Sequence, residues 1–113
     1  MTLASKETVT TGHIFDSLPD HPDTELFDIL VEHDNMRIER IVSNGHSSPD
    51  SGWYDQDSNE WVIILRGEAI IALEDGQLIN LKAGSHLNIP AHTKHKVTWT
   101  KENTETVWIA VHY

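Results

Sequence analysis

Short runs of apolar residues, separated by turn-forming residues, are the feature of this sequence that most constrains its fold. From Glu25 onward the runs recur at intervals of about ten residues, and the most continuous one is EWVIIL at 60–65. Turn formers stand between the runs, as at Asp75-Gly76, which is a strong hairpin signal. No long segment carries the 3.6-residue period of a helix. The pattern therefore predicts an all-β domain, either a sandwich or a barrel of antiparallel strands.

The chain divides into an arm and one domain. Residues 1–24 are polar and are interrupted by Pro19 and Pro22, which is typical of an irregular N-terminal arm. Residues 25–113 carry the strand pattern and are long enough to bury a single core. Alternation assigns the apolar side chains of a strand to faces. It places three residues on one face of the first strand and three on one face of the last: Phe27, Ile29 and Val31, then Val107, Ile109 and Val111.

Charge and composition exclude several classes of partner. With 8 Lys and Arg against 18 Asp and Glu, the net charge of −10 repels a phosphate backbone, so nucleic acid is not expected as a partner. No apolar run reaches the roughly 18 residues of a membrane span, and the first residues do not resemble a signal peptide. A cytoplasmic location and no membrane partner are therefore expected. The absence of cysteine rules out disulfides and thiolate metal sites.

Two motifs add information that periodicity does not contain. In the second half, Gly84, Pro90 and His95 follow one another at fixed spacing in GSHLNIPAHTKH. In the first half, Glu60 is followed seven residues later by Gly67. At these positions the chain resembles the cupin superfamily, in particular the small single-domain cupins of the conserved-barrel type. The resemblance implies an antiparallel double-stranded β-helix, the jelly-roll barrel, in which the two motifs bring metal ligands together.

The chain departs from the family in the first motif, where the usual His-x-His pair is missing. Two alignments with the pair remain open: Tyr54 with Gln56, or Trp53 with Asp55. In an unbroken strand Gln56 would share a face with Glu60, which favours the first alignment. A divalent cation prefers an anionic ligand, and a bulge could turn Asp55 inward, which favours the second. Both residues remain candidate metal ligands.

By resemblance, His95 stands at a metal-ligand position, and imidazole suits first-row divalent metals. Glu60 opens an apolar strand, where a carboxylate needs a partner, a metal or a raised pKa. The resemblance thus implies one divalent ion, which could be zinc, iron, nickel or manganese. Three further residues could contact the metal or a ligand, namely His46, Tyr54 and His92.

Three functions are compatible with these residues. The first is a small metal-binding cupin that acts as a metal-dependent enzyme on a small acid or sugar. The second is a non-catalytic barrel that holds a small ligand or a structural metal, and the third is a barrel without metal. Small cupins commonly pair through their sheets, and four tryptophans in a limited core favour a homodimer in which N-terminal strands take part. The sequence does not identify catalytic residues, the metal or the substrate.

Overall fold

The structure, a computed structural model, describes residues 8–18, 25–48 and 52–113. Within these ranges the regular elements are strands, and there is no helix long and apolar enough to cross a membrane. The strands are β1 Leu26–His33, β2 Met36–Ser43, β3 Glu60–Arg66, β4 Glu68–Leu73, β5 Leu78–Lys82, β6 His86–Ile89, β7 His95–Thr100 and β8 Thr106–His112. The predicted all-β fold is confirmed. The prolines of the predicted arm lie outside the described residues.

The strands form two antiparallel sheets. The larger sheet has the order β1-β2-β8-β3-β6, and the smaller has the order β5-β4-β7. The strand β8 therefore lies between β2 and β3, although β2 and β3 precede it in the sequence. The strands β4 and β5 form the predicted hairpin, where Leu73 N–H donates to Gln77 O at 2.9 Å.

The core lies between the two sheets, on the inward faces of their strands. Its buried apolar side chains come from both sheets: Val62, Ile64, Ala69, Ile71, Leu81, Ile89, Trp108 and Ala110. Alternation along β3 is clear, because Val62 and Ile64 are buried while Trp61 and Ile63 are only half-buried. Burial of these apolar surfaces is the main force that holds the sheets together.

A β-bulge in β1 corrects one prediction about the faces of that strand. Phe27 and Ile29 pair with Ile41 and Glu39 of β2, but the register then shifts and Val31 pairs with Ile38. Residues directly opposite each other in an antiparallel pair share a face. Val31 therefore lies on the opposite face from Phe27 and Ile29, and the prediction that all three share one face was wrong. Sequence alternation cannot detect a bulge, which adds one residue to a strand.

A short N-terminal segment is fastened to the outer surface of the larger sheet. Arg40 Nη1 donates to the carbonyl oxygens of Ile14 and Asp16 at 2.9 and 2.7 Å, and its Nε and Nη2 donate to Asp28 Oδ2 at 3.0 and 2.6 Å. The guanidinium of Arg66 lies over the ring of Phe15, 4.3 Å from the ring centroid. These contacts lie on the opposite side of the sheet from the barrel interior, since Arg40 adjoins the inward-facing Glu39.

Candidate functional site

Four buried titratable side chains form a continuous chain of contacts inside the barrel. His112 Nε2 lies 2.8 Å from Glu39 Oε1 and 3.6 Å from Glu60 Oε2. The other oxygen of Glu60, Oε1, lies 3.4 Å from His95 Nε2. Each of the four side chains is 7–11% exposed. Charged groups at this depth are stable only when they have partners, so the order carboxylate, imidazole, carboxylate, imidazole supplies a partner to each.

Strand order explains how these residues meet. Glu39 lies on β2, His112 on β8 and Glu60 on β3, which are neighbours in the larger sheet. Glu60 and His112 are direct cross-strand partners, because the last residue of β8 pairs with the first residue of β3. His95 reaches the same place from the smaller sheet, as the first residue of β7. The site thus joins the two sheets at one end of the barrel.

The turn before β7 fixes the orientation of the His95 ring. His95 Nδ1 lies 2.8 Å from the carbonyl oxygen of Thr93. A carbonyl oxygen can only accept, so Nδ1 carries the hydrogen and donates it. In the neutral ring, Nε2 is then left with a lone pair directed toward Glu60. This is the tautomer that a metal-ligating histidine needs, with the second ring nitrogen held by a backbone carbonyl.

The surroundings of His95 also favour its protonated form in the absence of a metal. Burial acts to lower the pKa of the imidazole. The hydrogen bond to Glu60, the hydrogen bond to Thr93 and the charge of Glu60 act in the opposite direction and prevail, so the pKa is raised. The pair can therefore hold a proton between imidazole and carboxylate.

The chain of four side chains lines a cavity of about 270 Å³. Its wall is mainly apolar and aromatic, and includes Phe27, Ile41, Tyr54, Val97 and Trp108. Polar and charged residues also line it, and four of them are the side chains of the chain described above; an apolar wall with convergent polar groups is the usual arrangement of a small-molecule pocket. A second hollow of about 430 Å³ shares Arg37 and His112 with the first.

The segment before β3 forms one side of the cavity and distinguishes the two candidate ligands of the first motif. Tyr54 pairs with His95 through two backbone hydrogen bonds of 2.8 and 3.1 Å, and its ring lies 5.8 Å from the imidazole. Gln56 lines the cavity. Asp55 is instead directed to the rim, where its Oδ1 lies 3.0 Å from His92 Nδ1.

His92 occupies a left-handed backbone conformation in the turn before β7. Its φ is 61°, in the left-handed region that L side chains rarely adopt, at a cost of about 1–2 kcal/mol. Its N–H donates to Gln56 O at 2.8 Å, and its imidazole contacts Asp55 and Asp57. His92 therefore fastens the turn before β7 to the segment before β3, with its side chain at the solvent-exposed rim.

His46 lies away from the cavity, in the loop after β2. Its Nδ1 accepts from Asn44 N–H at 2.9 Å, and its carbonyl oxygen accepts from Thr100 Oγ1 at 2.6 Å. Through these hydrogen bonds His46 stabilises the conformation of its own loop.

Sequence reasoning missed Glu39 and His112. Alternation contained a signal for His112, because it shares a face of β8 with Trp108 and Ala110, opposite the three apolar residues noted in the sequence. Glu39 gave a weaker signal, since a glutamate between Ile38 and Arg40 is typical of a solvated strand. Only the position of β8 between β2 and β3 identifies both as interior residues.

The donor types suit a divalent metal, but the side chains do not surround one point. Imidazole nitrogen and carboxylate oxygen are ligands of zinc and of other first-row metals. The two imidazoles, however, contact different oxygens of Glu60 and lie on either side of its carboxylate. Among the described residues no group of three or more His, Asp or Glu is arranged to hold a metal ion. His95 and Glu60 are the pair best prepared to ligate, and a third ligand would require a side chain to move.

Glu25, at the edge of the cavity, allows a test of its electrostatics. Burial raises the pKa of this carboxyl; the Ser43 hydroxyl at 3.3 Å and the charge of His46 act in the opposite direction but less strongly. A raised carboxyl pKa contributes stability that is fully present below the unfolded pKa and is lost as pH rises through the folded pKa. Glu25→Gln should therefore stabilise the protein at pH 7, by no more than about 1 kcal/mol because burial is partial.

Thermal unfolding at pH 7 and pH 4 measures this effect. The control is Glu68→Gln, at the exposed first residue of β4. The gain should appear in Glu25→Gln alone and should shrink at pH 4. A gain of equal size at both pH values would contradict the argument.

The family of the chain follows from comparison with known proteins. A sequence model of the Cupin domain matches residues 40–112, which is more than half of the chain. The chain therefore belongs to the cupin family, and the resemblance stated from the two motifs is confirmed. No curated protein matches at a significant level.

Solved structures agree with the family. A Ralstonia eutropha JMP134 protein, named provisionally as a mannose-6-phosphate isomerase, is 39% identical with a TM-score of 0.89, over 92% of this chain and 97% of that one. A Methanocaldococcus jannaschii RmlC-like cupin with a double-stranded β-helix is 24% identical with a TM-score of 0.65, over 84% of each chain. The iron(II) protein HppE is 19% identical with a TM-score of 0.68, over 86% of this chain and 54% of that one. The last two likenesses concern the fold alone.

Proposed function

We propose that this cupin binds one divalent metal ion in the barrel and acts on a small hydroxylated acid or sugar in the adjoining cavity. The observation that carries the proposal is the buried Glu60–His95 pair in the wall of a cavity large enough for a small molecule. Cupins commonly bind a divalent metal, and one structural neighbour is an iron(II) protein. The provisional name of the 39% identical neighbour supports a sugar as the substrate class.

His95 Nε2 and the Glu60 carboxylate would hold the ion. Gln56 is the third ligand that we favour, because Gln56 lines the cavity while Asp55 contacts His92 at the rim. A bound divalent ion supplies Lewis-acid polarisation of a carbonyl or hydroxyl oxygen. Iron, zinc, nickel and manganese remain equivalent on the basis of these donors.

The pair of Glu39 and His112 supplies acid–base chemistry beside that position. His112 Nε2 and Glu39 Oε1 lie 2.8 Å apart, within hydrogen-bond distance, at the cavity wall. Such a pair can take a proton from a ligand carbon or hydroxyl and return it to a neighbouring atom, as an aldose–ketose isomerisation requires. Both side chains are buried, which limits contact of the pair with bulk water and strengthens its electrostatic interactions.

The test combines metal analysis with a measurement of turnover. The purified chain should contain a divalent metal in a ratio near one to one by mass spectrometry of the elements. Mannose 6-phosphate incubated with it in D2O should isomerise to fructose 6-phosphate that carries deuterium at C1, as followed by NMR. Glu39→Gln should keep the metal and lose most of the turnover. A native chain with no affinity for any divalent metal would refute the metal site, and binding without turnover would favour the non-catalytic barrel.

We propose further that the protein is a homodimer formed through β1. Every residue of this edge strand is exposed, and five of its large apolar side chains are 36–57% exposed: Leu26, Phe27, Ile29, Leu30 and Val31. The strand pairs with β2 and forms an edge of the larger sheet. An edge strand with apolar residues on both faces is a surface that proteins normally cover. Phe27 also lines the cavity, so a second copy on β1 would add to its wall.

Light scattering should therefore give about twice the chain mass of 12.8 kDa at tens of micromolar. Ile29→Lys should shift the protein to the monomer, because it places a charge in the apolar interface. Leu78→Lys is the control, since Leu78 is 63% exposed on the other sheet. A native mass near that of one chain, or monomers from both variants, would contradict an interface at β1.

A further inference from the structure

Two buried nitrogen donors in the described part of the chain lack a hydrogen-bond partner, and both belong to residues that line the cavity. They are Arg37 Nε and Trp108 Nε1. Buried donors in native proteins are almost always paired, so an unpaired one calls for a missing water, ion or ligand. Two in the wall of one cavity point to an occupant rich in acceptor oxygens.

Arg37 lies beside the buried Glu39, but its Nε does not form a hydrogen bond with that carboxylate. Its Nε lies 3.6 Å from Glu39 Oε2, which is longer than a hydrogen bond, and the other oxygen of Glu39 is bound by His112 at 2.8 Å. Arg40, on the outer face of the same strand, differs sharply, because its guanidinium makes four hydrogen bonds. Arg37 Nε therefore keeps its hydrogen available to another acceptor, and the Arg37 side chain is 39% exposed.

The charges around the cavity leave room for an anion beside Arg37. Glu39 and Glu60 each have an imidazole neighbour within the chain of four side chains. Glu39 also forms an ion pair with Arg37 at 3.6 Å, so the guanidinium has a carboxylate near it but no hydrogen-bond acceptor for Nε. A carboxylate or phosphate matches its geometry with two parallel hydrogen bonds.

We propose that the cavity binds a small anionic ligand whose carboxylate or phosphate accepts hydrogen bonds from Arg37, while a second ligand oxygen accepts from Trp108 Nε1. The inference rests on the proposed function for the existence of a ligand and adds the chemical class of that ligand. At about 270 Å³ the cavity is at the small end of ligand pockets, which limits the ligand to about the size of one sugar unit with its anionic group. Arg37 is then the residue that selects charged over neutral substrates.

NMR of the native chain tests the inference directly through the Arg37 Nε–H and Trp108 Nε1–H resonances. The probes are gluconate and mannose 6-phosphate, with sorbitol and mannose as their neutral counterparts. Both resonances should shift with at least one anionic probe, which should bind about tenfold or more tightly than its counterpart. The anion that shifts them identifies carboxylate or phosphate as the group recognised. Equal affinity for charged and neutral probes, or no shift of the Arg37 resonance with either anion, would overturn the inference.

Matched variants assign the preference to these two donors. Arg37→Gln should lower the affinity for the anionic probe about tenfold and leave that for its neutral counterpart unchanged. Lys101→Gln, an equal change of charge at an exposed position, should leave both affinities unchanged. Trp108→Phe removes the donor and keeps an aromatic ring, with the exposed Trp99→Phe as control. Unchanged discrimination in Arg37→Gln would overturn the inference.

The same experiments distinguish failure of the proposed metal site from failure of anion recognition by Arg37. Metal content and the Arg37 resonance are measured on the same sample, and each probe is titrated with and without added metal. Anion binding in a chain that takes up no metal would support the role of Arg37 and refute the metal site. Metal binding without anion preference would support the metal site and refute the role of Arg37.

Discussion

Gly67→Ala is expected to destabilise the protein by about 3–5 kcal/mol, enough to leave a small domain largely unfolded near physiological temperature. Gly67 joins β3 to β4 with φ of 90°, a conformation that strains any L side chain. An added Cβ would also lie 2.3 Å from Thr106 Oγ1 and 2.7 Å from Thr106 Cα. Thr106 is fully buried at the start of β8, so neither it nor its backbone can move away without disturbing the centre of the larger sheet.

Gly76→Ala separates the cost of backbone strain from the cost of the steric clash with Thr106. Gly76 has nearly the same φ, 94°, but nothing lies within 4 Å of an added Cβ. Its substitution should cost only the backbone strain, about 1–2 kcal/mol. Thermal and urea unfolding of both variants would measure the difference. Equal losses would show that close approach to Thr106 is not the reason for glycine at the end of the first cupin motif.

His95→Ala is expected to abolish most metal binding. It removes one of the two side chains best prepared to ligate and the Nε2 lone pair that Thr93 orients. Loss of a ligand should weaken affinity by more than the tenfold to hundredfold typical of residues that only orient ligands. Titration with zinc, read by calorimetry, measures the loss. The unfolding temperature without metal should be recorded as well, because Glu60 loses a buried partner.

His13→Ala serves as the control, since this exposed side chain lies near Phe15 on the outer surface of the sheet. It should bind metal as the native chain does. Gln56→Ala should weaken metal binding, while Asp55→Ala should mainly loosen the rim around His92. Undiminished metal binding in His95→Ala would refute the assignment, and a larger loss in Asp55→Ala than in Gln56→Ala would reverse the choice of third ligand.

The fold was predictable because its main signals are local. The apolar run at 60–65 located β3 to within one residue, Asp75-Gly76 located the turn between β4 and β5, and the Gly84–Pro90–His95 spacing selected the barrel among β folds. The face of Val31 was not predictable, since a bulge leaves no mark on the apolar pattern.

The site was only half predictable because its members are distant in the sequence. Motif spacing identified Glu60 and His95, and strand alternation favoured Gln56 over Asp55 for the interior. Period two says which residues of a strand share a face, but it does not say which strand lies beside it. Glu39 and His112 become partners only because β8 inserts between β2 and β3.

That insertion has a consequence for how the protein folds. Until β8 arrives, the β1–β2 hairpin and the β3–β6 pair have no contact within the larger sheet. Glu39 and His112 are 73 residues apart, so a long loop must close before they can meet. Folds dominated by such distant pairings assemble slowly. The chain should therefore pass through its rate-limiting step as β8 docks, and the cavity should gain its ability to bind a ligand in that same step.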